Sequence, residues 1–202
     1  MWNFQGTNRF LRGGFDPHII IWIDGTYGVG KTTVASELME RFSNSEAEFL
    51  QSDRYRQEMW DEMVAESKRT NCMPDFGGFC PQNNIKFLEK MKGIIKERAS
   101  ISAKYVIFDM AVTMIECKEK LFDPLLSDGN DIIHIILIAD EEIIKSRIEN
   151  DNNRDKVFAL NNLKNNLIFL NSNFNDAIRI KTNNRSVGDI VDKIIGIINS
   201  WE

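Results

Sequence analysis

The chain has 202 residues, of which 43% are hydrophobic and 27% charged, and 25 Lys+Arg stand against 30 Asp+Glu for a net charge of -5. Such a length suits one domain whose core needs no disulfide or metal staple, and the composition excludes a disordered, collagenous or coiled-coil chain. The acidic balance excludes a protein that coats long nucleic acid, while leaving room for a local basic pocket.

Three cysteines (Cys72, Cys80, Cys117) and two histidines (His18, His134) offer neither a regular disulfide framework nor a zinc set. Free thiols in a reducing cytosol are the expectation, and with them a cytoplasmic protein. No stretch reaches the roughly 18 to 20 apolar residues of a membrane span, so no membrane partner is expected. Residues 1–16 lack a basic start followed by an apolar block, and so do not read as a secretory signal.

In chain order, residues 18–24 (HIIIWID) form a continuous β-branched and aromatic run, the mark of a strand buried on both faces of a parallel sheet. A helix is expected over 31–42, with Val34, Ala35, Leu38 and Phe42 on one face. A weaker strand follows at 47–51. The next helix, 56–70, carries Met59, Met63 and Val64, a stripe that suits core more than pocket. A helix over 85–99 repeats Phe87, Leu88, Met91, Ile94 and Ile95, and a strand follows at 105–109 (YVIFD). Helical spacing is weaker over 116–126, where Pro124 implies a break. A strand at 132–139 precedes helices at 141–149 and 157–170; the second is Asn-rich, yet keeps apolar residues at helical spacing. A short strand at 177–182 and a helix at 187–201 close the chain. Strands alternating with helices predict an α/β fold, a three-layer sandwich with a five-stranded parallel sheet and right-handed crossovers.

Between the first strand and the first helix stands Gly25-Thr26-Tyr27-Gly28-Val29-Gly30-Lys31-Thr32, which fits G-x-x-x-x-G-K-[ST] at every position. The glycines let successive N–H groups turn inward around phosphate oxygens. Lys31 brings positive charge to the β- and γ-phosphates, and Thr32 offers a hydroxyl to Mg²⁺. The helix start adds free amides and its dipole. Gly25, Gly28, Val29, Gly30, Lys31, Thr32 and Thr33 are therefore the expected nucleotide-binding residues, with ATP and Mg²⁺ as cofactors. Residues 1–17 are then an N-terminal extension, and 18–202 a P-loop kinase-like domain of the nucleoside-kinase type.

No N-K-x-D guanine reader exists, and the D-F-G at Asp75 lacks the other protein-kinase segments. A compact kinase of small molecules is left. Such an enzyme needs a group to activate an acceptor hydroxyl, charge for the moving phosphoryl, and a lid. Asp53 lies just past the second strand, at the end of the sheet where α/β ligands bind. It is a candidate catalytic base, with Arg56 on the substrate or γ-phosphate; the alternative is a helix N-cap. Asp109 ends the third strand and is the candidate second metal residue beside Thr32, or itself the base. Arg147 is a candidate catalytic lid arginine, and Arg154 a candidate nucleotide-binding one. Lys31, Arg54, Arg56, Arg147 and Arg154 are expected to converge on one basic cleft, with the acidic surplus elsewhere. Phe76 and Phe79 could line an acceptor pocket, and Thr182 and Asn183 could touch adenine.

From Ile20 through Thr32 the chain resembles the opening of the tunicamycin-resistance protein family, with its strand, Trp and P-loop. The resemblance continues around Asp75-Phe76, through 125–129 and 134–140, and at Arg147-Ile148-Glu149. It implies a single-domain ATP-binding protein related to small-molecule kinases, and an antibiotic or sugar-nucleotide-like acceptor. Ser52-Asp53-Arg54-Tyr55-Arg56 is more similar to the S-D-x-x-R segment of chloramphenicol-phosphotransferase-like and polynucleotide-kinase-like enzymes. A second arginine beside Arg147, frequent in the resistance family, is missing.

Three functions follow. The first is a phosphotransferase moving the γ-phosphoryl of ATP to a small-molecule hydroxyl, with resistance to a nucleoside-type antibiotic as one use. The second is a nucleoside or nucleotide kinase, suggested by Asp24-Gly25-Thr26 and Asp53-Arg54-Tyr55. The third is a non-catalytic ATP-dependent binding protein. A monomer or homodimer is expected.

Overall fold

The computed structural model describes residues 18–43, 45–70, 80–101, 104–152 and 155–201. The first strand, β1 (Ile19–Asp24), is buried along its whole length, as its unbroken apolar run requires. Around it stand β2 (Ala47–Gln51), β3 (Tyr105–Asp109), β4 (Asp131–Ile138) and β5 (Ile178–Lys181). All pairs are parallel and the order is β2-β3-β1-β4-β5. The chain therefore leaves β1 for the far edge, returns to β3 beside β1, then crosses to β4 on the other side. Such a reversal opens a crevice at the carboxyl ends of the central strands.

Helices α1 (Lys31–Glu40), α2 (Ser52–Thr70), α3 (Ile85–Ile101), α6 (Glu141–Asn150), α7 (Lys156–Asn173) and α8 (Val187–Trp201) fall where the periodicity predicts them, with ends shifted by a few residues. Strand alternation divides the core in two. Ile21 and Ile23 face α1 and α8, where Leu38, Ile194 and Ile198 meet them. Ile20 and Trp22 face α3 and the end of α7. Trp22 is fully buried, edge-on to Phe108 and Phe122 at centroid distances of 4.8 and 5.0 Å, and donates from Nε1 to the Met110 carbonyl at 2.8 Å. That bond satisfies the indole and fixes the start of the loop after β3.

Two local expectations are corrected. Pro124 does not break its helix. Helices α4 (Ile115–Cys117) and α5 (Asp123–Ser127) are joined by a π turn over Lys118–Phe122, in which the Asp123 amide bonds back to the Lys118 carbonyl. The wider turn lets the proline, which has no N–H, enter at the start of α5. The methionine stripe of α2 is not fully buried core: α2 buries no residue completely, though Met59 packs against the core. The Asn-rich segment is helix, entered through Asp155, whose carboxylate accepts from the Phe158 amide at 2.9 Å. No described helix is long and apolar enough to cross a membrane.

Candidate functional site

The loop from Gly25 to Gly30 sits at the carboxyl end of β1, between the ends of β3 and β4. Gly25 has φ 137°, and a Cβ there would lie 2.7 Å from the Leu137 carbonyl oxygen and 2.8 Å from Val29 Cγ1. Gly28 has φ 72°, and its Cβ would lie 2.9 Å from Ile148 Cγ1 on α6. Both positions thus demand glycine twice over, by backbone angle and by space. Gly30 precedes α1 in the left-handed region, with no side chain capping the helix, so the first amides of α1 are left for an anion. Lys31 Nζ donates to the Thr26 carbonyl at 3.0 Å, curled over the loop it would serve.

A buried polar brace holds the loop from below. Asp24, fully buried, accepts from the Gly25 amide at 2.6 Å and the Val112 amide at 3.0 Å, and pairs with His134 Nε2 at 2.9 Å. His134 lies on β4 opposite Trp22, between the rings of Phe122 and Phe174 at 4.7 Å each. Sequence reasoning missed this brace. A carboxylate inside an apolar strand needs partners, but two of the three lie 88 and 110 positions away.

Asp109, 3% exposed at the end of β3, meets the loop. Its Oδ2 accepts from Thr32 Oγ1 at 2.7 Å and its Oδ1 from the Ser52 amide at 3.0 Å. Burial pushes its carboxyl up to about 6 from 3.8, opposed by those two hydrogen bonds and by the charge of Lys31, while Asp53 nearby pushes it further up. Helix α2 begins directly at Ser52, so Asp53 sits in its first turn instead of capping it. Asp53 Oδ1 lies 3.5 Å from Arg56 Nε, and the two side chains, 60% and 41% exposed, open onto the same cleft as Lys31, Thr32 and Asp109. Arg54 departs from expectation. It turns away, donating from Nε to Glu58 at 2.9 Å, because a residue next to Asp53 on a helix points about 100° around the axis.

Arg147 reaches the cleft from α6, with both terminal nitrogens already bonded to the protein. Nη1 bonds to Thr182 Oγ1 at 3.1 Å and the Val29 carbonyl at 3.5 Å, and Nη2 to the Thr182 carbonyl at 3.3 Å. It therefore ties the phosphate loop to the segment after β5. Thr182 is buried, and Asn183 Oδ1 accepts from the Asp140 amide at 3.0 Å. Arg154, Asp75, Phe76 and Phe79 lie outside the described residues.

The cleft has a volume of about 1010 Å³ and also takes in Trp60, Gln82 and Arg185, which sequence reasoning did not single out. Its charge differs from expectation. Among the described residues Lys31, Arg56, Arg147 and Arg185 line it, and so do Asp53, Asp109, Asp151 and Asp155. The acidic surplus is thus not kept away from the site. Thr32 and Asp109 supply hard oxygen donors on a phosphate-binding loop, a set that fits Mg²⁺, which takes few protein ligands when phosphates supply the rest.

Solved structures share this fold. The chain is similar to the tunicamycin resistance protein of Deinococcus radiodurans (TM-score 0.69, 21% identity, 90% of this chain and 95% of that one). It is similar to shikimate kinase from Acinetobacter baumannii in complex with shikimate (TM-score 0.59, 21% identity, 93% and 97% covered). It is also similar to the APS kinase of Mycobacterium tuberculosis in complex with AMPPNP and APS (TM-score 0.57, 14% identity, 91% and 98% covered). At these identities the likeness is one of fold: a five-stranded parallel sheet with a P-loop, shared with kinase-like proteins. No curated protein matches the chain in sequence. The family described as an AAA domain matches residues 20–162, well over half of the chain, so this P-loop protein belongs to that family.

Proposed function

We propose that the protein is an ATP-dependent phosphotransferase that moves the γ-phosphoryl group to a hydroxyl of a small molecule. The observation that carries this reading is the contact of Thr32 with Asp109 at 2.7 Å, in one cleft with Lys31, Asp53 and Arg56. A phosphate loop, a metal-suited oxygen pair and a carboxylate facing the same space are what phosphoryl transfer asks of a protein. Mg²⁺ held through Thr32 and Asp109 would neutralise charge on the β- and γ-phosphates of ATP.

Lys31 gives up its bond to the Thr26 carbonyl and turns to the phosphates. Asp53 is the base and Asp109 is not. Both oxygens of Asp109 are engaged by Thr32 and Ser52, whereas the contact of Asp53 with Arg56 is long and open to the cleft. Asp53 takes the proton of the acceptor hydroxyl as its oxygen bonds to the γ-phosphorus and the bond to ADP breaks. Arg56 meets the charge on the moving phosphoryl. Arg147 acts by holding the phosphate loop against Thr182, beside the space that the adenine would enter.

The acceptor we favour is a nucleoside-type antibiotic, which would make this a resistance protein of the cytoplasm; the fold likeness to the Deinococcus protein supports it. The test is incubation with Mg-ATP and a panel of nucleosides, aminoglycosides and nucleoside antibiotics, read as an added phosphate mass. A product that vanishes with Lys31→Ala and Asp53→Asn supports transfer. A nucleoside monophosphate as the sole product would point to a nucleoside kinase. Tight ATP binding with no product on any acceptor would replace the enzyme with a binding protein.

A further inference from the structure

Besides the phosphate loop, the cleft is lined by α2 and by the segment that leads into α3. Asp53, Arg56 and Trp60 line it from α2 at i, i+3 and i+7, the spacing that puts three side chains on one face. Pro81 and Gln82 line it as well, with Met110 and Ala111 just past β3. Asp53 directly follows Ser52, whose amide donates to Asp109 at 3.0 Å, so this end lies at the phosphate loop. Seven residues of helix carry the wall about 10 Å further, to Trp60.

Gln82 is the unusual member. It is only 7% exposed, and its side-chain oxygen accepts twice from Thr113, from the amide at 2.7 Å and the hydroxyl at 2.9 Å. A backbone N–H can only donate, so the atom facing Thr113 must be Oε1, and the orientation of the amide is fixed. With both lone pairs of the oxygen used, only Nε2 is left to act. No partner holds Nε2 among the described residues and the atom is not closed off from solvent, so the cleft that Gln82 lines is the space we assign to it. A buried amide held this way offers donors and nothing else, and its cost is recovered only when something accepts from it.

We propose that Gln82 and Trp60 form an acceptor subsite for a planar ring whose edge carries a hydrogen-bond acceptor, a carbonyl oxygen or ring nitrogen. Trp60 supplies the stacking face, and Gln82 Nε2 donates to the ring edge. The ring's substituent runs along α2 and brings its hydroxyl to Asp53. Nucleosides have this form: a flat base, accepting groups on its edge, and a primary hydroxyl at the far end of a sugar. Ringless polyols do not. This inference rests on the phosphotransferase reading for its direction along the cleft, but the subsite itself is a binding claim.

It is tested by binding, apart from turnover. Uridine, ribose and glycerol are titrated into the protein in the presence of Mg-AMPPNP, followed by saturation-transfer NMR. The expected result is binding of uridine at least about tenfold tighter than ribose, with saturation strongest on the base protons; one hydrogen bond and one stacked ring are together worth that much or more. Gln82→Leu and Trp60→Ala should each weaken uridine by about five- to tenfold and leave AMPPNP affinity unchanged. Gln82→Glu keeps an oxygen for Thr113 and turns the donor into an acceptor. It should weaken uridine about as much as Gln82→Leu does while AMPPNP still binds as in the wild type, and that retained nucleotide binding separates lost recognition from lost folding, since a carboxylate buried there lowers the melting temperature in either case. Equal binding of uridine and ribose, or uridine binding unaffected by Gln82→Glu and Trp60→Ala, overturns the subsite. Gln82-dependent uridine binding with no phosphate transferred to any acceptor leaves the subsite standing and removes the kinase.

Discussion

Asp109→Asn should stabilise the nucleotide-free protein, and by an amount that depends on pH. Burial holds the Asp109 carboxyl at about 6, against 3.8 for an ordinary aspartate. Between those values the folded protein keeps a proton that the unfolded chain has lost. Ionising the group inside the fold costs about 3 kcal/mol, a penalty absent below the lower value and complete about one pH unit above the higher one. This raised carboxyl therefore favours the fold at low pH and opposes it as pH rises. Asparagine escapes the penalty. Its oxygen still accepts from the Ser52 amide, and its amide can donate to a reversed Thr32 hydroxyl. At about pH 8 the variant should be more stable by about 2 to 3 kcal/mol, or roughly 5 to 10 °C in melting temperature for a domain of this size. At about pH 4 the two proteins should unfold together. Urea denaturation in EDTA, repeated across that range, measures the difference, and all other titrating groups cancel between the pair. With Mg-ATP added the order should reverse, because the neutral amide is a poor Mg²⁺ ligand. A stability difference that stays constant with pH, or a variant weaker than wild type at about pH 8, would refute the reasoning.

Four further outcomes are expected. Lys31→Ala should lower ATP affinity by about a hundredfold in calorimetry while moving the melting temperature by much less than Gly25→Ala does, since in the free protein the half-exposed ammonium bonds to the Thr26 carbonyl at the loop surface and shares in the field at Asp109. Gly25→Ala should cost about 3 kcal/mol or more in urea, because φ 137° and the 2.7 Å approach to Leu137 oxygen add up; a loss under about 1 kcal/mol would show that the loop yields. His134→Phe should cost about 2 kcal/mol and weaken ATP, since buried Asp24 loses a partner while the ring stack keeps its volume. Cys117, fully buried with its thiol pushed well up by desolvation and by the charge of Asp24, should resist maleimide until the protein unfolds.

The sequence by itself determined the strands, the phosphate loop and most helices. Continuous apolar runs at β1 and β3, and the glycine spacing before Lys31, are local signals that do not depend on what packs beside them. It also placed Thr32 and Asp109 together, since both sit at the ends of elements whose position in a parallel sheet is nearly fixed. It did not tell Arg54 from Arg56, because two residues on a helix part company only once its axis is set against the sheet. Nor did it foresee that a π turn would admit Pro124, a change in hydrogen-bond register that residue spacing cannot register. Only the tertiary structure decided the polar partnerships. Asp24 with His134, Arg147 with Thr182, and Gln82 with Thr113 join residues 31 to 110 positions apart. Each exists because burial leaves a polar group no water to bond to, so the fold must find it a partner wherever the sheet order brings one. The charge balance of the cleft belongs with these. A net charge of -5 says nothing of place, and folding set four described carboxylates among the four described cations that line it.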